Sequence, residues 1–414
     1  MALQINATRP NARILRLPWS TPLEEWSDEF VVPLPRGISR HTVRIVRLAD
    51  QVYAVKETEV AMAQREYRLL RDLQRLGLPT VIPQAVVSGR VADDGRPLPA
   101  VLVTEHLRFS LPYRSLFSHG VTTDHIPQLI DAMVILLVRL HLAGFYWGDV
   151  SLSNVLFRRD AGLFTAYLVD AETGELRPSL SARMRANDVL VGCENIFGEL
   201  LDLEAMYGLD EDLGGHDIVA MIEQRYVALW CELTSEEEFD EDEMWRIEQR
   251  IDRLNDLGFD VAELDIVTDF DGDRIRIQPT VVELGHHQRE LQGLTGLWVQ
   301  DNQARRLLND LASFTAAHGL GREDRTLVAN RWLVDVYDRV TAMVPPESRG
   351  KLEPPEFFHE VLVHRWYLSE RAGREVEIMD AARDYIDTIL SARPEEAITA
   401  DGPVGDEELE DTVS

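Results

Sequence analysis

Asp149, Asn154 and Asp170 stand in the order, and close to the spacing, that a magnesium and triphosphate site needs. The run from His141 to Phe157 reads His-Leu-Ala-Gly-Phe-Tyr-Trp-Gly-Asp-Val-Ser-Leu-Ser-Asn-Val-Leu-Phe, with the acid and the amide five residues apart on one loop ahead of an apolar strand. Sixteen residues after Asn154, the segment Ala166-Tyr-Leu-Val-Asp170 ends a second strand in another acid. One carboxylate of such a set can orient a hydroxyl nucleophile, while the amide and the second carboxylate hold Mg²⁺ against ATP. The chemistry in view is phosphoryl transfer to a hydroxyl.

Such a set needs a cation for the phosphates and a fold that delivers it. The alternation from Thr42 to Leu48 suits a half-buried strand, Ala49-Asp50-Gln51 a turn, and Val52 to Lys56 a second strand, giving a β-hairpin that ends in a lysine. From Val60 the period changes: Met62, Tyr67, Leu69, Leu70, Leu73 and Leu76 share one helical face, and Gly77 with Pro79 stops the helix. Glu66 rides on that helix within reach of Lys56. Two further strands, Val81 to Val87 and Ala100 to Glu105, are joined through the polar turn Asp93 to Pro97. Glu105-His-Leu107 then connects this lobe to the next.

Composition removes several function classes. A chain of 414 residues with 45% apolar content can bury at least two cores. Acids outnumber bases 72 to 42, a net charge of −30 that repels nucleic acid and anionic membrane surfaces alike. The longest apolar run, Ala132 to Val138, is too short to span a bilayer, and the N-terminus carries no signal-like apolar core. Cys193 and Cys231 match no metal-ligand spacing and read as buried, reduced thiols, which suits a cytoplasmic protein.

The series Val55-Lys56, Glu66, Thr104-Glu105, Leu140-His141, Asp149, Asn154 and Asp170 resembles the protein-kinase-like superfamily over roughly residues 30 to 215. Gly144-Phe-Tyr-Trp-Gly-Asp149 is closer in style to bacterial lipopolysaccharide-core and aminoglycoside or choline-type small-molecule kinases than to eukaryotic protein kinases. The whole chain is similar to an actinobacterial family in which a kinase-like domain precedes a domain of unknown function. The resemblance implies an α+β, two-lobed kinase-like domain, with ATP and Mg²⁺ as cofactors. It makes Lys56 the phosphate-neutralising cation, held by Glu66, with both groups charged. Asp149 becomes the residue that orients the acceptor hydroxyl, and Asn154 and Asp170 the metal ligands. Glu105 and Leu107 fall at the nucleotide-binding connection.

Departures from the pattern carry their own expectations. Gly37 is the one glycine at the phosphate-covering loop, so Ser39 and Arg40 are candidates to supply donors there, against an ordinary hairpin turn. Trp147-Gly148 replaces the usual His-Arg, which removes the arginine that reads a phosphorylated activation loop. Asp170-Ala-Glu172 replaces Asp-Phe-Gly, so Glu172 is a candidate second metal carboxylate, against a solvated loop residue. Arg177, Arg183 and Arg185 make the following segment locally basic, which would suit an anionic acceptor or simply pair with surface acids. Asp188 either bonds the catalytic-loop backbone or caps a helix running to about Leu203. The acceptor is read first as a small-molecule hydroxyl, such as a sugar or lipid precursor. A protein Ser/Thr kinase is one alternative. A non-catalytic, nucleotide-binding scaffold that holds a protein partner on its C-terminal helices is another.

The second half reads as mainly helical. Expected are an N-lobe over 1–107, a C-lobe over 108–213, a helical domain over 214–394 and a disordered acidic tail over 395–414. Ser235 to Glu243 reads as an acidic turn or helix start, Trp245 to Leu257 as a helix, and 266–282 as a β-hairpin about Asp271-Gly272. The acids of 269–273 do not fit a calcium loop, because the glycine comes too early and Thr280 stands where the closing glutamate belongs. His286-His287 suits a helix start or an interface rather than one metal. Leu291 to Phe314, Thr326 to Met343 and Pro355 to Glu370 complete the helices, with Trp298, Trp332 and Trp366 as packing anchors. A homo-oligomer surface or a protein-partner surface would lie on this domain.

Overall fold

Lys56 sits near the middle of a five-stranded antiparallel sheet. The computed structural model describes residues 2–396 apart from 9–11, 28, 33–40, 49–50, 119–124, 208–214, 236, 241–244, 247–248, 250–258 and 269–273, with backbone alone for the strands between 237 and 284. The sheet runs β1-β4-β5-β3-β2, where β1 is Gln4–Ala7, β2 Val43–Leu48, β3 Gln51–Thr58, β4 Pro83–Ser88 and β5 Ala100–Glu105. Helix α1, Val60–Arg75, packs on one face through Ala63, Tyr67, Leu70 and Leu73. The other face is covered as well, by Ile14, Leu17, Trp19, Leu23 and Trp26 against Val46, Val55, Val87, Val101 and Val103. The β2–β3 hairpin keeps the expected half-buried alternation, with Val46, Leu48, Tyr53 and Val55 on its buried face, while β4 and β5 are covered on both sides. The cover is pinned by Arg90, whose guanidinium lies buried and donates to the Trp19, Thr21 and Pro99 carbonyls and to Glu57 Oε1. Every donor direction used replaces a water contact, which is what a buried arginine requires.

The second lobe is built around α3, Ile126–Leu142, a helix buried along almost its whole length. The short strand β6, Ser110–Pro112, and the hairpin β8, Val155–Asp160, with β9, Leu163–Leu168, form a three-stranded sheet; α2 is Tyr113–Ser118. Phe145–Tyr146, β7, pairs with Glu175–Leu176, β10. Helix α4, Ala182–Tyr207, starts six residues before Asp188, so Asp188 is interior and not a helix cap. Helix α5, Gly215–Thr234, buries Ile218, Ile222, Tyr226, Leu229 and Leu233 in the same core as α3 and α4. The core consequently does not divide at 213/214; apolar spacing carries α5 into the C-lobe.

Beyond α5, Glu237–Asp240 forms a strand, β11, where an acidic turn or helix start was expected. It pairs antiparallel with β13, Arg274–Leu284, which also pairs with β12, Phe259–Thr268, so the expected hairpin gains a third strand. The register sets Glu238 opposite Arg276 and Asp240 opposite Arg274. The calcium-loop acids and most of the expected helix from Trp245 to Leu257 lie outside the described residues.

The helical region comprises α6, His286–Thr295; α7, Asp301–Ala317; α8, Arg325–Trp332; α9, Asp338–Thr341; α10, Pro354–Ala372; and α11, Ile378–Thr388. Gly296, at φ 78°, ends α6 and breaks the single helix expected from Leu291 to Phe314. A π-helical stretch over Leu333–Tyr337 joins α8 to α9, so the chain stays helical from Arg325 to Thr341. Of the three tryptophans only Trp332 is core; Trp298 and Trp366 are 68% and 58% exposed, so they anchor nothing within the described residues. Cys193 is buried and Cys231 exposed, both free, which corrects the reading of Cys231. No helix among the described residues is long and apolar enough to cross a membrane.

Candidate active site

Three carboxylates converge on one ammonium. Lys56 Nζ lies 2.6 Å from Asp170 Oδ2, 3.0 Å from Glu172 Oε2 and 3.2 Å from Glu66 Oε2. The lysine comes from β3, Glu66 from α1, and Asp170 and Glu172 from the turn after β9. Glu66 is buried and its second oxygen accepts the Ala171 N–H, so α1 holds the turn after β9 as well as the lysine. Arg65, its neighbour on α1, donates to the Glu172 and Gly174 carbonyls. His41 Nε2 meets Glu172 at 3.1 Å and closes the cluster from the start of β2.

Electrostatics divides these groups. Burial opposes charge on Lys56, but Glu66 and Asp170 outweigh it and hold the ammonium above its ordinary range. Glu66 moves in the direction unusual for an ion-paired carboxylate. Burial, and then repulsion from Asp170, push it up to about 8, and Lys56 only partly offsets them. One ammonium thus faces three acids, and burial pushes the most enclosed of them, Glu66, toward its protonated form. Glu172, although burial raises it, is held below the usual carboxylate range by Lys56 and His41.

The loop from Trp147 to Ser153 is held by one stripe of α4. Asp188 accepts the Trp147 and Gly148 N–H groups, each at 2.7 Å, and meets His141 Nε2 at 3.1 Å. Seven residues on, Asn195 donates to Asp149 Oδ1 at 3.3 Å and to the Val150 carbonyl at 3.0 Å. Glu199, one turn further, accepts the Leu152 and Ser153 N–H groups at 2.7 and 2.9 Å. Gly192 lies between them because a Cβ there would fall 2.8 Å from Val150 Cγ1. Burial lowers the pKa of His141, whose other nitrogen meets Tyr226 Oη at 2.6 Å. Asn154 Nδ2 returns to the Asp149 carbonyl at 3.0 Å and its carboxylate at 3.2 Å. The Val169 N–H donates to the Asn154 carbonyl at 3.0 Å, so Asn154 and Asp170 leave the same end of the β8–β9 hairpin.

Of the residues named from the sequence, Lys56, Glu66, Asp170 and Glu172 meet in one cluster, while Asn154 bonds Asp149 and, through the Val169 amide, the end of the strand that leads to Asp170. Glu105 and Leu107 form the connection between lobes, where Glu105 accepts from Gln84 Nε2 and the Leu107 carbonyl accepts from Ser110 Oγ. Gly37, Ser39 and Arg40 lie outside the described residues. The three arginines do not act together. Arg177 is exposed and pairs with Glu175, Arg183 is exposed, and Arg185 donates to the Leu180 carbonyl and lies 4.0 Å from the Trp230 ring centroid. Arg65, His41, Asn195 and Glu199 were missed. Beside Glu172, His41, Thr42, Glu59 and Met62 line an open cavity of about 630 Å³.

Residues 41–190 match the family described as lipopolysaccharide kinase (Kdo/WaaP), and residues 228–390 match the domain of unknown function DUF4032. The first match supports a kinase enzyme, and the family points to a sugar or other small-molecule acceptor class. A solved structure described as WaaP in complex with acyl carrier protein is 17% identical and covers 61% of this chain and 99% of its own, with a TM-score of 0.35. No curated protein matches the chain.

Proposed function

We propose that the protein is an ATP- and Mg²⁺-dependent phosphotransferase that moves the γ-phosphoryl group to a hydroxyl of a small molecule, a sugar or lipid precursor, in the cytoplasm. The observation that carries this reading is Lys56 within 2.6 Å of Asp170 while Glu66 bonds both Lys56 and the Ala171 amide. The lysine is thereby placed beside the metal-side acid, as transfer from a triphosphate requires.

The donor set fits magnesium. Ligand oxygens of Glu66, Asp170 and Glu172 can lie within 4.8 Å of one another, and hard carboxylate oxygens are what Mg²⁺ takes. Asp170 and Asn154, with Glu172 beside them, would hold it; when bound, the ion neutralises phosphate charge. Lys56 exchanges part of its carboxylate company for phosphate oxygens. Asp149, fixed by Asn154 and Asn195, orients the acceptor hydroxyl and takes its proton as the new P–O bond forms and the bond to ADP breaks. The Trp147-Gly148 backbone, tied to Asp188, keeps that carboxylate in place with no arginine awaiting a phosphorylated loop.

The test is labelling of a metabolite extract with γ-labelled ATP and Mg²⁺. Asp149→Asn is expected to lower turnover by about a hundredfold or more with nucleotide binding retained. Asp170→Asn is expected to weaken Mg²⁺-dependent ATP binding more than Asp149→Asn does. Nucleotide binding with no turnover on small molecules or proteins would leave the scaffold reading, and equal binding losses would undo the division of roles.

A further inference from the structure

We infer that the helical C-terminal region positions the metal-side residues Asn154 and Asp170 by seating the far end of the β8–β9 hairpin, with Asp160, Gln303 and Glu356 as the positioning residues. The inference rests on the phosphotransferase reading above. Asn154 precedes β8 and Asp170 follows β9, where Val155 pairs with Leu168. The far end is the two-residue turn Ala161-Gly162, with φ 54° and 82°. Both residues are left-handed, as a tight hairpin turn demands, and alanine takes that conformation only against a steric cost.

The helical region supplies what the turn lacks. Glu356, from the first turn of α10, accepts the Ala161 N–H at 2.8 Å and the Gly162 N–H at 3.3 Å. Asp160 is buried, and its two oxygens accept the Gln303 N–H at 2.8 Å and Asn302 Nδ2 at 3.0 Å. A hairpin carboxylate thus adds to the capping box that Gln300 and Gln303 form at the start of α7, where the first amides have no partner inside their own helix. The Gln303 side chain closes the ring, donating to the Arg159 carbonyl at 3.1 Å and to Glu356 Oε2 at 3.0 Å. Around the seat, Arg158 pairs with Glu353, Arg159 with Glu396, and Tyr167 Oη donates to Gln300.

None of these groups touches the reacting atoms, since six strand residues span about 20 Å. Their effect travels through a ladder closed at the near end by the Val169 to Asn154 bond. Groups that fix the orientation of metal ligands tune metal affinity, and here the seat acts on Asn154 and Asp170 through the strand ladder between them. Loosening the seat is therefore expected to appear in magnesium dependence.

The experiment titrates Mg²⁺ against binding of a fluorescent ATP analogue by the full chain, with a parallel titration in EDTA, for wild type, Gln303→Ala and Asn302→Ala. Gln303→Ala is expected to raise the Mg²⁺ midpoint by about tenfold, and Asn302→Ala by a smaller factor in the same direction, with binding in EDTA unchanged. A purely structural seat would lower the melting temperature and leave the midpoint alone, which overturns the inference. Equal losses with and without metal overturn it too. Should Gln303→Ala not fold, an unshifted midpoint in Asn302→Ala suffices to reject it. Absence of Mg²⁺-dependent binding in the wild type would instead remove the phosphotransferase reading beneath it.

Discussion

Glu356→Gln should invert its stability relative to wild type across the neutral pH range. Burial raises the Glu356 carboxyl from 4.5 to about 7, with Asp160 and Glu360 adding repulsion and the Gln303 amide and Ala161 N–H opposing it. Between those values the unfolded chain has released the proton and the folded chain retains it. Folded stability accordingly falls as pH rises through this window and levels off above it. At 1.36 kcal/mol for each pH unit, the full window amounts to roughly 3 kcal/mol. Glutamine removes the titration but brings an NH₂ group where one of three donors now finds an acceptor, a loss of about 1–2 kcal/mol. The variant should be the less stable protein near pH 5 and equal or more stable by pH 8. Denaturant melts of both proteins at matched pH values test this, because titrations shared by the two chains cancel in the difference. A difference that stays constant from pH 5 to 8, or grows in favour of wild type, would refute the assignment of the burial cost to Glu356.

Gly144→Ala should destabilise the C-lobe by about 3 kcal/mol, because the residue sits at φ 81° and its Cβ would fall 2.0 Å from the Arg177 carbonyl oxygen. A melting temperature close to wild type would contradict that backbone contact. Asn195→Ala should lower kcat by up to about a hundredfold with little change in KM for ATP, since Asn195 holds Asp149 and Val150 and no residue of the lysine cluster. Steady-state kinetics decide this, and a change confined to KM would count against the role given to the α4 stripe.

The chemical groups were more legible than their supports. Phosphoryl transfer restricts residue types tightly and much of its machinery is local in sequence, so Asp149, Asn154 and Asp170 could be singled out as candidates from one loop and two strand ends. Lys56 and Glu66 followed because a hairpin and a helix with a clear apolar face leave few arrangements. Asn195 and Glu199 were missed for a physical reason: polar residues on a long helix look like a solvated face unless the loop they serve is known. Asp188 was legible in part, through its place after the metal-side turn, and only the length of α4 removed the capping alternative. The seat on the hairpin was invisible, since Asp160 before Ala-Gly reads as turn chemistry. The cover over the N-lobe sheet was equally hidden, because nothing local ties Trp19 to the buried Arg90.

The left-handed alanine at the hairpin tip also bears on how the chain can be cut or extended. Surface turns such as Asp93 to Arg96 tolerate added residues because their backbone groups face water. The turn at Ala161-Gly162 is a keyed joint: its amides are occupied by a side chain nearly two hundred residues downstream. A tag or epitope inserted there would unseat α10, and a chain truncated before α6 would send Asp160 and the turn amides into solvent. The two halves are better handled as one piece.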